Sequence, residues 1–179
     1  MRFIKLLLLS GIFFAVLLFI LSLLLPVRAV VERSGVIDAP VETVYAQVNN
    51  LKTWSSWNPW MASQDITFSG TSGTGATANW VVTQHDRRIP VKVAFTNSEA
   101  LKGVYYNMDF EGLKPVKGTF NFRPSADGKG TVIMWRVETY LGYWPWWKFR
   151  GFLADRLTGP QLEDGLTKLK SICEGGVKY

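Results

Sequence analysis

The spacing of apolar residues changes several times along this chain of 179 residues, and each change marks a different kind of structure. From Leu6 to Leu25 no charge occurs, and only Ser10, Gly11 and Ser22 interrupt the apolar run. At about 1.5 Å per residue a helix of that length covers roughly 30 Å, the hydrocarbon thickness of a bilayer. Arg2 and Lys5 precede it and Pro26 ends it. Residues 1–28 are therefore expected to be a transmembrane anchor with Leu6–Leu25 as the span. Val27-Arg28-Ala29 loosely resembles a small-x-small cleavage site, but the apolar cores of secretory signals run only about 7–15 residues. An uncleaved signal-anchor is the expectation, giving a single-pass membrane protein. Positive charge is slightly denser before the span, since Arg28 and Arg33 behind it have Glu32 beside them. The N-terminus is thus expected in the cytoplasm and the domain outside it, in a periplasm where the cell has one.

Residues 29–179 contain no repeat or low-complexity linker and read as one domain. Ala29–Ile37 has strand character. Asp38-Ala39-Pro40 predicts a helix start, with an acidic cap and a proline in the first turn. Val41, Val44, Tyr45 and Val48 follow at helical spacing, and Leu51–Ser55 predicts a second short helix. From residue 65 the period becomes two. Ala76, Ala78, Trp80 and Val82 alternate with Thr77, Asn79, Val81 and Thr83, and Ile89, Val91, Val93 and Phe95 repeat the alternation. Val104, Tyr106, Met108 and Phe110 repeat the pattern, then Phe120 and Phe122, then Ile133, Trp135 and Val137. Turn residues at 69–75 and 126–130 separate these runs. Strands with one apolar face predict a curved antiparallel sheet of about six to seven strands. The last segment returns to helical spacing, with Phe152, Leu153, Leu157, Leu162, Leu166, Leu169 and Cys173 read as one apolar stripe. Gly159-Pro160 should kink or split that helix. It is the one element long enough to cover the sheet, so the fold class is α+β with a cavity expected between sheet and helix.

Composition narrows the function classes. The chain carries 20 Lys+Arg against 14 Asp+Glu with no basic run, which argues against a nucleic-acid partner. One cysteine, Cys173, allows no intrachain disulfide, and with a single histidine, His85, the usual zinc ligand sets are unavailable. His85 falls in a polar turn and is expected to be a solvated loop residue. Gly70–Gly75 lacks the Lys-Ser/Thr that a phosphate loop needs after its last glycine. No nucleophile elbow occurs, so no catalytic residue, metal or cofactor is expected.

Ile37-Asp38-Ala39-Pro40-Val41-Glu42-Thr43-Val44-Tyr45 resembles the opening of the polyketide cyclase/START-related superfamily, whose fold is called helix-grip. Trp54-Ser55-Ser56-Trp57-Asn58-Pro59-Trp60 resembles the segment that follows. Gly130–Trp135 is similar to the last strand of that family and Gly159–Lys170 to its C-terminal helix. The resemblance implies a cavity that holds a lipid, sterol, polyketide or other small hydrophobic molecule. It carries over no universal catalytic residue, because the members include enzymes, carriers and proteins without assigned activity.

From alternation, Trp80, Phe95, Tyr106, Phe110, Phe122 and Trp135 are the candidate cavity-lining residues. Trp57 from the short helices and Leu153 and Leu157 from the last helix join them. Packing alone explains each equally well. Arg136 and Glu138 share the other parity of their strand and are expected on its outer face. Tyr143-Trp144-Pro145-Trp146-Trp147-Lys148 is the most unusual string, and Trp144, Trp146, Trp147 and Lys148 are candidates for a membrane interface. The expected activity is membrane-tethered binding or transfer of a lipid-like molecule. A cyclase or hydrolase using Tyr106 or Arg136, and an interaction module with a filled cavity, are the alternatives. The sequence names no protein partner.

Overall fold

The computed structural model describes residues 2–61, 65–84, 87–112, 114–126 and 128–175. A first helix, α1 (Arg2–Leu23), precedes strand β1 (Arg28–Ile37), helix α2 (Val41–Val48), a 3-10 turn (Leu51–Thr53) and helix α3 (Trp54–Trp57). Six strands follow: β2 (Thr67–Ser69), β3 (Thr77–Gln84), β4 (Arg87–Glu99), β5 (Gly103–Phe110), β6 (Val116–Pro124) and β7 (Thr131–Tyr140). Helix α4 (Pro145–Cys173) closes the chain. The expected α+β helix-grip architecture is what the chain adopts. Phe3–Leu23 of α1 is long and apolar enough to cross a membrane. The helix stops two residues before the expected end of the span, and Leu24 and Leu25 form a closing turn.

All neighbours in the sheet are antiparallel, in the order β1-β7-β6-β5-β4-β3-β2. Alternation decides which face is buried: Ala78, Trp80, Val93, Phe95, Tyr106, Phe120 and Trp135 all point to the helix side. A register shift between Phe95 and Asn97 bends β4 against β5. The glycine stretch is a connection between β2 and β3. Gly70, Gly73 and Gly75 take φ of 70°, 76° and 88°, which only glycine adopts without strain. The Leu51 amide donates to the Thr71 carbonyl, fastening this connection to the end of α2.

Three local expectations are corrected. Asp38 does not cap α2. Pro40 holds the cap position and its carbonyl accepts the first amides, whereas the Asp38 N–H donates to Glu174, which follows the last residue of α4. Gly159-Pro160 does not split α4, which runs as one helix of 29 residues. Here Arg33 of β1 spans the proline: its Nε donates to Glu163 at 2.6 Å and its Nη1 reaches Asp155 at 2.8 Å. Its guanidinium lies against Gly159, where any side chain would collide with it. The apolar residues of α4, finally, do not share one stripe. Leu162, Leu166 and Leu169 are buried, but Leu153 and Leu157 face outward.

Candidate functional site

The space between sheet and helices is occupied by the chain's own rings. Trp54 and Trp57 lie three residues apart on α3 and project together into the bowl of the sheet. Trp54 meets Tyr106 edge-on at 5.1 Å, Phe95 at 5.4 Å and Phe120 at 5.8 Å. Trp57 meets Phe120 and Trp135 at 5.8 and 5.7 Å, and Phe120 lies 4.9 Å from Trp135. Two indoles are tied by hydrogen bonds, Trp54 Nε1 to the Val48 carbonyl and Trp135 Nε1 to the Tyr106 hydroxyl at 2.9 Å. Burial pushes the Tyr106 phenol well above its ordinary range, so it stays neutral. The Tyr106 ring lies across Gly118, and Gly165 brings α4 down onto Trp135, where an added Cβ would sit 2.7 Å from the indole. Phe122 completes this core with Tyr45 edge-on at 5.8 Å.

The sequence-derived candidates therefore divide into three groups. Trp57, Phe95, Tyr106, Phe122 and Trp135 do face the interior, where they pack on other side chains. Trp80 and Phe110 stand at the edge of the packed region and line an open cleft. Leu153 and Leu157 do not line the interior at all, because they sit on the solvent side of α4. Lys148 is also corrected: it is buried, and its ammonium donates at 2.9 Å to the carbonyl of Ser22 at the end of α1. Trp144, Trp146 and Trp147 are exposed, with Trp144 stacked on Trp146 at 4.9 Å. Arg136 lies on the outer face beside Glu32, and Glu138 pairs with Arg28. His85 lies outside the described residues. Cys173 is half-buried, and desolvation raises its thiol to about 11.

This cleft encloses about 390 Å³, within the usual size of small-molecule sites. Pro59, Trp60, Trp80, Val82 and Phe110 are among its lining residues. Trp60 is held by its indole N–H on Gln161 of α4 and by its ring against Trp135. A second hollow of about 440 Å³ shares Trp80, Val81 and Phe110 but is rimmed by Asp65, Lys92, Asp109 and Glu111. Among the described residues, three buried side-chain nitrogens lack a hydrogen-bond partner: Trp57 Nε1, Asn58 Nδ2 and Trp80 Nε1. Trp80 lines the cleft, and Asn58 immediately precedes the lining residues Pro59 and Trp60 without lining it itself. Such groups are costly to leave unpaired and demand a reason. Sequence reasoning missed Asn58, although a polar residue inside a tryptophan cluster is a signal. It also missed Arg33, which shares the inward parity of Val31 and Ile37.

The sequence model of the family described as "Polyketide cyclase / dehydrase and lipid transport" matches residues 28–174, and the chain belongs to that family. This makes residues 28–174 a helix-grip domain of a ligand-binding class. No curated protein matches the chain. Among solved structures, the chain is similar to SA2116 from Staphylococcus aureus, a protein of unknown function, at 13% identity and a TM-score of 0.67. That match covers 83% of this chain and 94% of the other. It is also similar to the di-domain ARO/CYC StfQ of the steffimycin biosynthetic pathway, at 15% identity and a TM-score of 0.64. There the match covers 84% of this chain and 53% of StfQ. TTHA0849 from Thermus thermophilus matches at 17% identity and a TM-score of 0.61, over 83% of this chain and 99% of that one. At such identities the likeness shows the fold. The matched region also holds the whole core, since Ser22 is the one buried residue among those described in α1.

Proposed function

We propose that this protein binds a small lipid-like molecule in the cleft between Trp60 and Trp80 and exchanges it with the membrane that α1 spans. The observation that carries the reading is the apolar cleft beside a packed core, one of whose lining residues, Trp80, has a buried indole N–H without a partner. A hydrocarbon portion fits against Pro59, Trp60, Val82 and Phe110. A carbonyl or ester oxygen would satisfy the Trp80 indole, recovering a hydrogen bond that the free domain forgoes. The family description, which includes lipid transport, supports the same ligand class. In this reading the amino terminus with Arg2 and Lys5 stays in the cytoplasm and the domain works on the other side.

Bond chemistry finds less support. The Tyr106 hydroxyl accepts from Trp135 inside the packed core, and Arg136 sits on the outer face near Glu32. The filled interior favours, as a second reading, a module that binds another protein and holds no ligand. Titration of residues 27–179 with a fatty-acid methyl ester and with the matching alkane separates these readings. The ester should bind more tightly, and Trp80→Phe should bring its affinity to within about twofold of the alkane's. Failure of both ligands to bind would remove the carrier reading and leave the interaction module.

A further inference from the structure

We propose that the first half of α4 is an interfacial helix, its outer face resting in the surface of the bilayer that α1 spans. Successive residues of a helix turn by about 100°, so Trp146, Phe149, Leu153 and Leu157 fall within about 80° of one another. All four are exposed, Trp146 at 57%, Leu153 at 49% and Leu157 at 66%. This stripe is continued at its start by Trp144, stacked on Trp146, and by Tyr143. Beyond Pro160 the same face changes character. Asp164 falls on it and pairs with Lys168 at its edge, at 2.8 Å. The exposed stripe of Trp146, Phe149, Leu153 and Leu157 is therefore followed, beyond Gly159-Pro160, by a charged pair.

The occupant follows from where this face lies. Lys148, on the opposite side of the same stretch of α4, is buried and donates to the Ser22 carbonyl at the end of α1. The start of α4 is thus fastened to the point where the transmembrane span ends. Leu25, Pro26 and Arg28 on one side and Lys148, Gly151 and Ala154 on the other enclose the crevice between them. An exposed apolar patch fixed at the mouth of a membrane span meets the headgroup and upper acyl region, where Trp and Tyr are preferred. The consequence is that α1 is no slack tether. Two attachments hold the domain at one orientation, with the charged half of α4 kept in water.

The proposal rests on the reading of α1 as an anchor but on no assumption about a ligand. It is tested with the full chain reconstituted into phosphatidylcholine/phosphatidylglycerol vesicles. Leu153→Cys, Leu157→Cys, Asp164→Cys and Lys168→Cys, each in a Cys173→Ser background, carry a nitroxide label. Collisions with oxygen, which partitions into lipid, are compared with those of a water-soluble nickel chelate. The oxygen-to-nickel ratio should be several-fold higher at 153 and 157 than at 164 and 168. Equal, water-like ratios at all four sites in chain that floats with the vesicles would overturn the proposal while leaving the anchor intact. Low collision rates with both reagents at 153 and 157 would overturn it in favour of a protein contact. Failure of the chain to float would remove the anchor and the proposal together. Circular dichroism of each variant checks that the fold is kept.

Discussion

Replacing Tyr106 by Phe deletes one oxygen from the middle of the core and leaves every ring contact in place. That oxygen accepts the Trp135 indole N–H at 2.9 Å, and neither residue is more than 1% exposed. The Phe120 ring stacked on Tyr106 at 5.7 Å and the Trp54 ring edge-on at 5.1 Å would both remain. Hardly any cavity forms, so the cost is that of stranding a buried donor, about 1–3 kcal/mol. With a urea m-value of about 1–3 kcal/mol per M, the midpoint should fall by roughly 1 M at unchanged m. Residues 27–179 serve as the sample, since they hold the core, and far-UV circular dichroism follows the transition. Ligand binding at the cleft should survive in the folded variant. An unchanged midpoint would refute the reasoning, because the indole would then have water or another acceptor and the interior would not be closed. Loss of a measured turnover without loss of stability would point instead to a catalytic tyrosine.

Other consequences are quicker to check. Gly118→Ala drives a methyl group into the Tyr106 ring, and overpacking of this kind costs about 1–3 kcal/mol. Urea denaturation should report it, with Gly35→Ala as the comparison, since an added Cβ there meets nothing within 4 Å. The Arg33 guanidinium holds the Asp155 carboxyl below its ordinary range. A depressed folded value means that the contribution is present above the unfolded carboxylate value of about 3.9 and is lost as pH falls through the folded one. Asp155→Asn should therefore flatten the acid limb of a stability–pH curve below about pH 4 and leave its slope near neutrality unchanged. Cys173, raised to about 11, should react slowly with a thiol reagent at pH 8 in the native protein and many-fold faster in urea.

The sheet was readable because its signal is local. A strand with one buried face alternates residue by residue, and Ala78–Trp80, Val91–Phe95, Val104–Met108 and Ile133–Val137 do so without interruption. What failed in α4 was phase. Leu157 and Leu162 are five residues apart, about 140° around a helix, so a list of leucines joined two faces into one stripe. Lys148 was misplaced for a different reason. Its partner is a carbonyl 126 residues earlier, and no local pattern records that α1 ends beside α4. The cap at Asp38 failed because Pro40 takes the N-cap position, two residues further on. Alternation also tells which rings face inward but not whether they meet. Trp54, Trp57, Phe120 and Trp135 come within 6 Å of each other in adjacent pairs, which moves the open room to the margin at Trp60 and Trp80.

The central claim is that a packed helix-grip domain on a membrane anchor still carries a small apolar guest in its marginal cleft. Native mass spectrometry of residues 27–179, purified without detergent and then extracted with organic solvent, tests it most directly. The account predicts one lipid-like molecule per chain, either carried through purification or taken up from a lipid panel, and weakened by Trp80→Phe. A chain that emerges empty and takes up nothing from the panel would contradict it.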